Sequence, residues 1–109
     1  MAASVRHQRV DTTSILSWFD KTQAQASDEE KIRLVKLTDL IGRLYDDASI
    51  VFASGLLAGK LLRKRGFVCE AVQAVKSLLD QHKPTLLASN PNLLCRGLCK
   101  LGRWQEEGK

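Results

Sequence analysis

Proline and glycine are scarce in this chain, at two and seven residues of 109. That scarcity argues against disorder and against a turn-rich β fold. No stretch shows sustained alternation of apolar and polar residues, and no turn dipeptide separates β-branched runs, so no strand is expected. Three cysteines are an odd number, and residues 1–14 are polar, without the apolar segment of a secretory leader. A disulfide scaffold is therefore not expected, and a reducing, cytoplasmic setting is. The longest weakly polar run, Ala48 to Gly59, falls far short of the ~20 residues that span a bilayer. It reads as a buried helix, and no membrane partner is expected.

The equipment of most enzymes is missing too. The only histidines are His7, in an N-terminal arm, and His82, near a helix end. Neither has an acidic pair or a Gly-x-Ser-x-Gly elbow beside it, so no nucleophile and base are assembled. Gly55 to Gly66 lacks the preceding strand and the Gly-Lys-Ser/Thr ending of a phosphate loop. Cys95 and Cys99 share a helix face, and with Cys69 and His82 they amount to four potential zinc ligands. No CxxC knuckle accompanies them, and free cysteines pack as small hydrophobes, so core positions are expected instead. The reading is not an enzyme, with no metal and no cofactor.

What is present is helical. At 44% hydrophobic and 27% charged, the composition suits one globular domain with a modest core. Residues 1–11 read as a flexible arm, 12–102 as a single helical domain and 103–109 as a tail. Thr12, Thr13 and Ser14 offer cap oxygens for a first helix carrying Ile15, Leu16, Trp18 and Phe19, with Trp18 and Phe19 expected in the core. Ser27 to Glu30 reads as a capping box. The stripe behind it is Leu34, Leu37, Ile41, Leu44, Tyr45 and Ala48, at steps of three and four. Asp46 and Asp47 end that helix or cap the next, which spans 48–65. Gly55 and Gly59 share a face of this third helix, which suits close approach of another backbone. A fourth helix over 68–81 is expected to stop near Pro84, with Leu86 and Leu87 in the connection. Asn90-Pro91 signals a fifth helix over 91–101, ended by Gly102.

A pattern is written twice, about one helical hairpin apart. Residues 57–70 read LAGKLLRKRGFVCE and residues 93–106 read LLCRGLCKLGRWQE. With Gly66 over Gly102, Lys60 falls on Arg96, Lys64 on Lys100 and Val68 on Trp104. Residues 55–84 resemble a tetratricopeptide-type hairpin, with Gly59, Gly66, Ala71 and Pro84 at its small-residue, turn, alanine and closing positions. Leu62 stands where that family has an aromatic. Residues 91–107 resemble the first helix and turn of a following repeat, with Cys95 and Glu107 at its small-residue and alanine positions. The fold class is thus expected to be all-α, an array of antiparallel helical hairpins with about five helices. Residues 28–48, DEEKIRLVKLTDLIGRLYDDA, are weakly similar to the small G-type co-chaperones of type III secretion needle subunits. That resemblance implies an apolar groove that holds an amphipathic helix of an aggregation-prone subunit.

The leading expectation is a non-catalytic adaptor or small chaperone that holds a partner helix. Its groove would be lined by Leu37, Ile41, Leu57 and Leu61, with Trp104 in the tail either an interface residue or docked back onto the fifth helix. An unfilled groove also makes a homodimer plausible. The formal charge of +5 supports the alternative, a basic nucleic-acid binder, for example of duplex RNA. Lys60, Arg63, Lys64, Arg65, Arg96, Lys100 and Arg103 would then form a basic ladder along a phosphate backbone, whereas in the leading reading they would select an acidic rim on the partner.

Overall fold

The computed structural model describes residues 11–108, which form five helices and no strand. They are α1 (Thr12–Gln25), α2 (Asp28–Leu44), α3 (Ala48–Lys64), α4 (Val68–Ser89) and α5 (Pro91–Glu107). The proposed arm lies outside the described residues except for Asp11.

Helix starts follow from local chemistry. Asp11, rather than the following threonines, caps α1 by accepting from the Ser14 amide. Ser27 and Glu30 form both halves of the capping box at α2. Asp47 caps α3 through the Ile50 amide, and Asn90 caps α5 through the Leu93 amide with Pro91 in the first turn. The α2–α3 and α3–α4 turns are built alike. Asp46 (φ 52°) and Gly66 (φ 95°) take left-handed conformations. The next amide, Asp47 or Phe67, then donates back to the carbonyl of Gly42 or Leu62.

Two helix ends differ from expectation. Pro84 lies inside α4, which continues to Ser89. Leu86 is therefore helical and fully buried, whereas Leu87 is exposed. Gly102 likewise lies inside α5, so the second turn of the sequence repeat is not formed. Residues 103–107 are the last turns of α5, not a tail, and Trp104 is buried at 2% exposure.

Helices α2 to α5 pack in chain order, each against the next. The buried line of α2 is Leu34, Thr38 and Gly42, rather than the apolar stripe through Leu37 and Leu44. Small residues sit there because the helices nearly touch: a Cβ on Gly42 would lie 2.8 Å from the Val51 amide nitrogen. Helices α3 and α5 also meet, through rings placed over glycines. The Trp104 ring covers Gly59, 3.1 Å from where a Cβ would stand, and the Phe52 ring covers Gly97 at 2.5 Å. The small face of α3 thus receives side chains, Trp104 at Gly59 and Leu78 at Gly55, rather than another backbone.

Helix α1 lies across this array, touching α2 and α3. Phe19 is its buried anchor, at 2% exposure, while Trp18 points outward at 42%. The Thr12 hydroxyl donates to the Asp47 carboxylate, tying the start of α1 to the α2–α3 turn.

The glycine contacts give a test with two signs. Gly97→Ala is expected to lower stability by about 1–2 kcal/mol, because the buried Phe52 ring must move. Gly102→Ala meets nothing within 4 Å and should raise stability by about 1 kcal/mol through helix propensity. Urea unfolding of the two variants measures both.

Candidate functional site

The groove expected from the sequence is already filled. Leu57 is 3% exposed and lies under α1, whose Phe19 shares a cleft wall with it. The helix held at Leu57 is therefore the chain's own. Leu61 and Ile41 are half-buried, and Leu37 is exposed at the edge of a cleft between α1 and α2. Leu61 also lines a cleft of about 380 Å³ between α2, α3 and Phe67, whose other walls include Ile32, Val35 and Leu62. The four proposed groove residues do not line one surface. Trp104 is core, because its ring has to cover Gly59.

The basic ladder divides into two sets. Arg63 forms an ion pair with Glu107 at 2.9 Å, and Lys64 pairs with Asp28 at 3.0 Å. Arg63 holds the Glu107 carboxyl below the usual carboxylate range, and Lys64 does the same for Asp28. Arg65 borders the apolar cleft at Phe67, and Arg103 is exposed near Glu107.

The second set comes together. Lys60, Arg96 and Lys100 line one cleft of about 290 Å³ between α1, α3 and α5. Its floor includes Phe19, Leu57 and Leu93. The register of the rings explains this placement. Lys60 follows Gly59, under Trp104, and Arg96 precedes Gly97, under Phe52. The packing that joins α3 to α5 therefore brings their cations to one side. Asp20 and Gln23 of α1 overhang the cleft, and Asp20 approaches Arg96 at 3.6 Å. A second cleft, between α1, α2 and α3, is lined by Lys60, Lys64, Lys31 and the same Asp20.

Lys60 is half-buried between the two clefts. Burial pulls its ammonium below the usual lysine value of 10.5, Lys100, Arg96 and Lys31 pull it further, and Asp20 opposes them. No ion pair is formed by Lys60 or Lys100 among the described residues. Asp20 and Lys31 were not legible as part of this site, because they come from helices remote in sequence from the repeat.

The cysteines differ from expectation. Cys69, Cys95 and Cys99 are all exposed rather than in the core. Cys95 and Cys99 open onto the basic cleft. No cluster of three metal-ligating side chains occurs among the described residues. No helix among them is long and apolar enough to cross a membrane.

Of the eight large apolar residues exposed among the described residues, four lie on α2 or at its C-terminal cap. Leu37, Leu40 and Leu44 recur at helical spacing on one face, and Leu44 is 71% exposed with Tyr45 beside it. Helix α2 forms one end of the array, since it packs on α3 and α1 only. No protein-family model, curated protein or solved structure matches this chain.

The Lys60 environment predicts a pH dependence. A lysine whose folded-state pKa lies below its unfolded value destabilises the fold while charged. The unfolded chain then binds more protons, so stability rises with pH toward 10.5. Lys60→Met lacks this gain. The variant should be the more stable at neutral pH, and its advantage should shrink as pH approaches 10.5, as urea unfolding at both pH values would show.

Proposed function

We propose that the protein is a non-catalytic binding module that engages another protein through the outer face of α2. The observation that carries this reading is the row of Leu37, Leu40 and Leu44, large apolar side chains left in solvent at the end of the array. Scattered exposed leucines are ordinary on a protein surface. Three on one helix face form a strip of the kind that an amphipathic partner helix covers. The expected groove is moved, not abandoned: the site at Leu57 is taken by α1, and the open face is one helix farther out. Tyr45 at the end of the strip supplies an amphipathic ring suited to an interface centre or rim. An adaptor or small-chaperone role follows from such a face without any catalytic group.

The test is selection of helical peptides from a displayed amphipathic library, followed by binding to Leu40→Glu/Leu44→Glu. Both positions are exposed, so the variant should keep its circular dichroism and its melting temperature. Affinity should fall by at least on the order of tenfold, the scale of losing interface anchors. Peptides that bind the variant equally well, or an empty selection, would overturn the proposal. A wild-type dimer that becomes monomeric in the variant would identify a second copy of the chain as the partner.

A further inference from the structure

We infer that the cleft between α1, α3 and α5 is a binding site for a phosphorylated ligand with an apolar or aromatic body. Lys60, Arg96 and Lys100 bring three cations to one cavity, and Asp20 is the one carboxylate on its wall. Asp20 forms an ion pair with Arg96 at 3.6 Å and offsets one positive charge, which leaves the other two without a carboxylate on the cleft wall. Lys31 adds to the field from the neighbouring cleft, which shares Asp20 and Lys60 with this one. Like charges gathered around a half-buried ammonium oppose folding, and nothing in the packing requires them. Lys60 and Lys100 are positions where an uncharged chain of similar length would fill the same space. A multivalent anion turns this repulsion into attraction, with charge-assisted hydrogen bonds from each cation.

The shape narrows the ligand further. The volume of about 290 Å³ lies at the low end of the range for small-molecule sites, ~300–1,000 Å³. Phe19, Leu57 and Leu93 give the cavity an apolar floor beneath the cations. A free inorganic ion would leave that floor wet, whereas a phosphate monoester lays its body there and its phosphoryl group among Lys60, Arg96 and Lys100. The Asn92 side chain, at the same wall, can donate to a remaining oxygen. Helix α1 bounds the cleft on one side with Asp20 and Gln23, and a bounded cleft suits a small molecule better than a continuous duplex. The phosphoryl group of a nucleic-acid backbone is the other source of the same chemistry. This inference is independent of the α2 face, which shares none of these residues.

The experiment is a calorimetric and amide-shift titration of the full chain with inorganic phosphate, phenyl phosphate and a duplex RNA, each at low and high salt. Phenyl phosphate should bind about tenfold more tightly than inorganic phosphate, the worth of burying a few methylene-sized groups. Shifts should centre on residues 92–100 and on Lys60. Lys60→Met and Lys100→Gln should each weaken phenyl phosphate by on the order of tenfold, and Lys60→Met should fold at least as stably as the wild type. Duplex RNA should bind weakly and with steep salt dependence. Tight RNA binding that both variants abolish, with no response to phenyl phosphate, would assign the phosphate to a nucleic-acid backbone and overturn the small-ligand site. Absence of binding to all three probes, or binding that both variants leave unchanged, would overturn the inference altogether.

Discussion

The structure depends on two aromatic rings seated on two glycines. Phe52 of α3 covers Gly97 of α5, and Trp104 of α5 covers Gly59 of α3. Both pairs have the same sequence separation, so they fix one register between parallel helices that have α4 as common neighbour. Without this exchange, exposed ion pairs alone would join α5 to helices other than α4, and the array would lie open. With it, α3, α4 and α5 close into a core that includes Val75, Leu79 and Leu86 of α4. Magnitudes show why the rings prevail. Burying one large aromatic removes about 150–250 Å² from water, worth roughly 4–6 kcal/mol. Continuing α5 through Gly102 costs about 1 kcal/mol. The helix therefore runs on until Trp104 reaches its seat.

The same balance explains which parts of the fold were legible. Helix starts were readable because a cap is chemistry between neighbours three residues apart: Ser27 with Glu30, Asp47 with Ile50, Asn90 with Leu93. The ends of α2 and α3 were readable as well, but those of α4 and α5 were not, because there the stop signals compete with distant packing. Pro84 removes one backbone donor and costs about 3 kcal/mol in a helix interior. Leu86, buried without residue, recovers ~1.5–3 kcal/mol of that, and the Asn90 cap and α5 packing depend on the continued axis. Gly66 stops α3 in a left-handed turn, and Phe67 just past it stays half exposed at the apolar cleft, so no deep burial draws the helix on. Past Gly102 stands Trp104, whose burial does.

The site was legible as a list of cations and illegible as an arrangement. Overlaying Gly66 on Gly102 puts Lys60 on Arg96 and Lys64 on Lys100, and it treats all seven basic residues as one ladder. The ring contacts impose a longer offset than the glycines do. Under that offset Arg63 meets Glu107, and Lys64 turns to Asp28 of α2. Lys60 of α3 remains, with Arg96 and Lys100 side by side on α5, lining one cleft with an apolar floor. Periodicity misled on α2 for a related reason. Leucines at helical spacing mark an apolar face, but the contact with α3 is so close that Thr38 and Gly42 take it, and Leu37 and Leu44 are left outside.

Helix α1 is the element on which both surfaces converge. It walls the basic cleft through Asp20 and Gln23, and its Thr22 and Gln25 wall the cleft that ends at Leu37. Its hold on the array is the thinnest of the five helices. One fully buried side chain, Phe19, and one side-chain bond, Thr12 to Asp47, secure most of it. Its approach to Arg96 through Asp20 is a loose, solvent-exposed pair of small energetic value. Elements with few buried apolar contacts open at lower free energy than the core. The hierarchy is therefore set by the rings. Helices α3, α4 and α5 are locked by glycine contacts, α2 is held by close backbone packing, and α1 rests on top by a single aromatic anchor. The groove expected for a partner helix is occupied by the helix that the rest of the fold grips least.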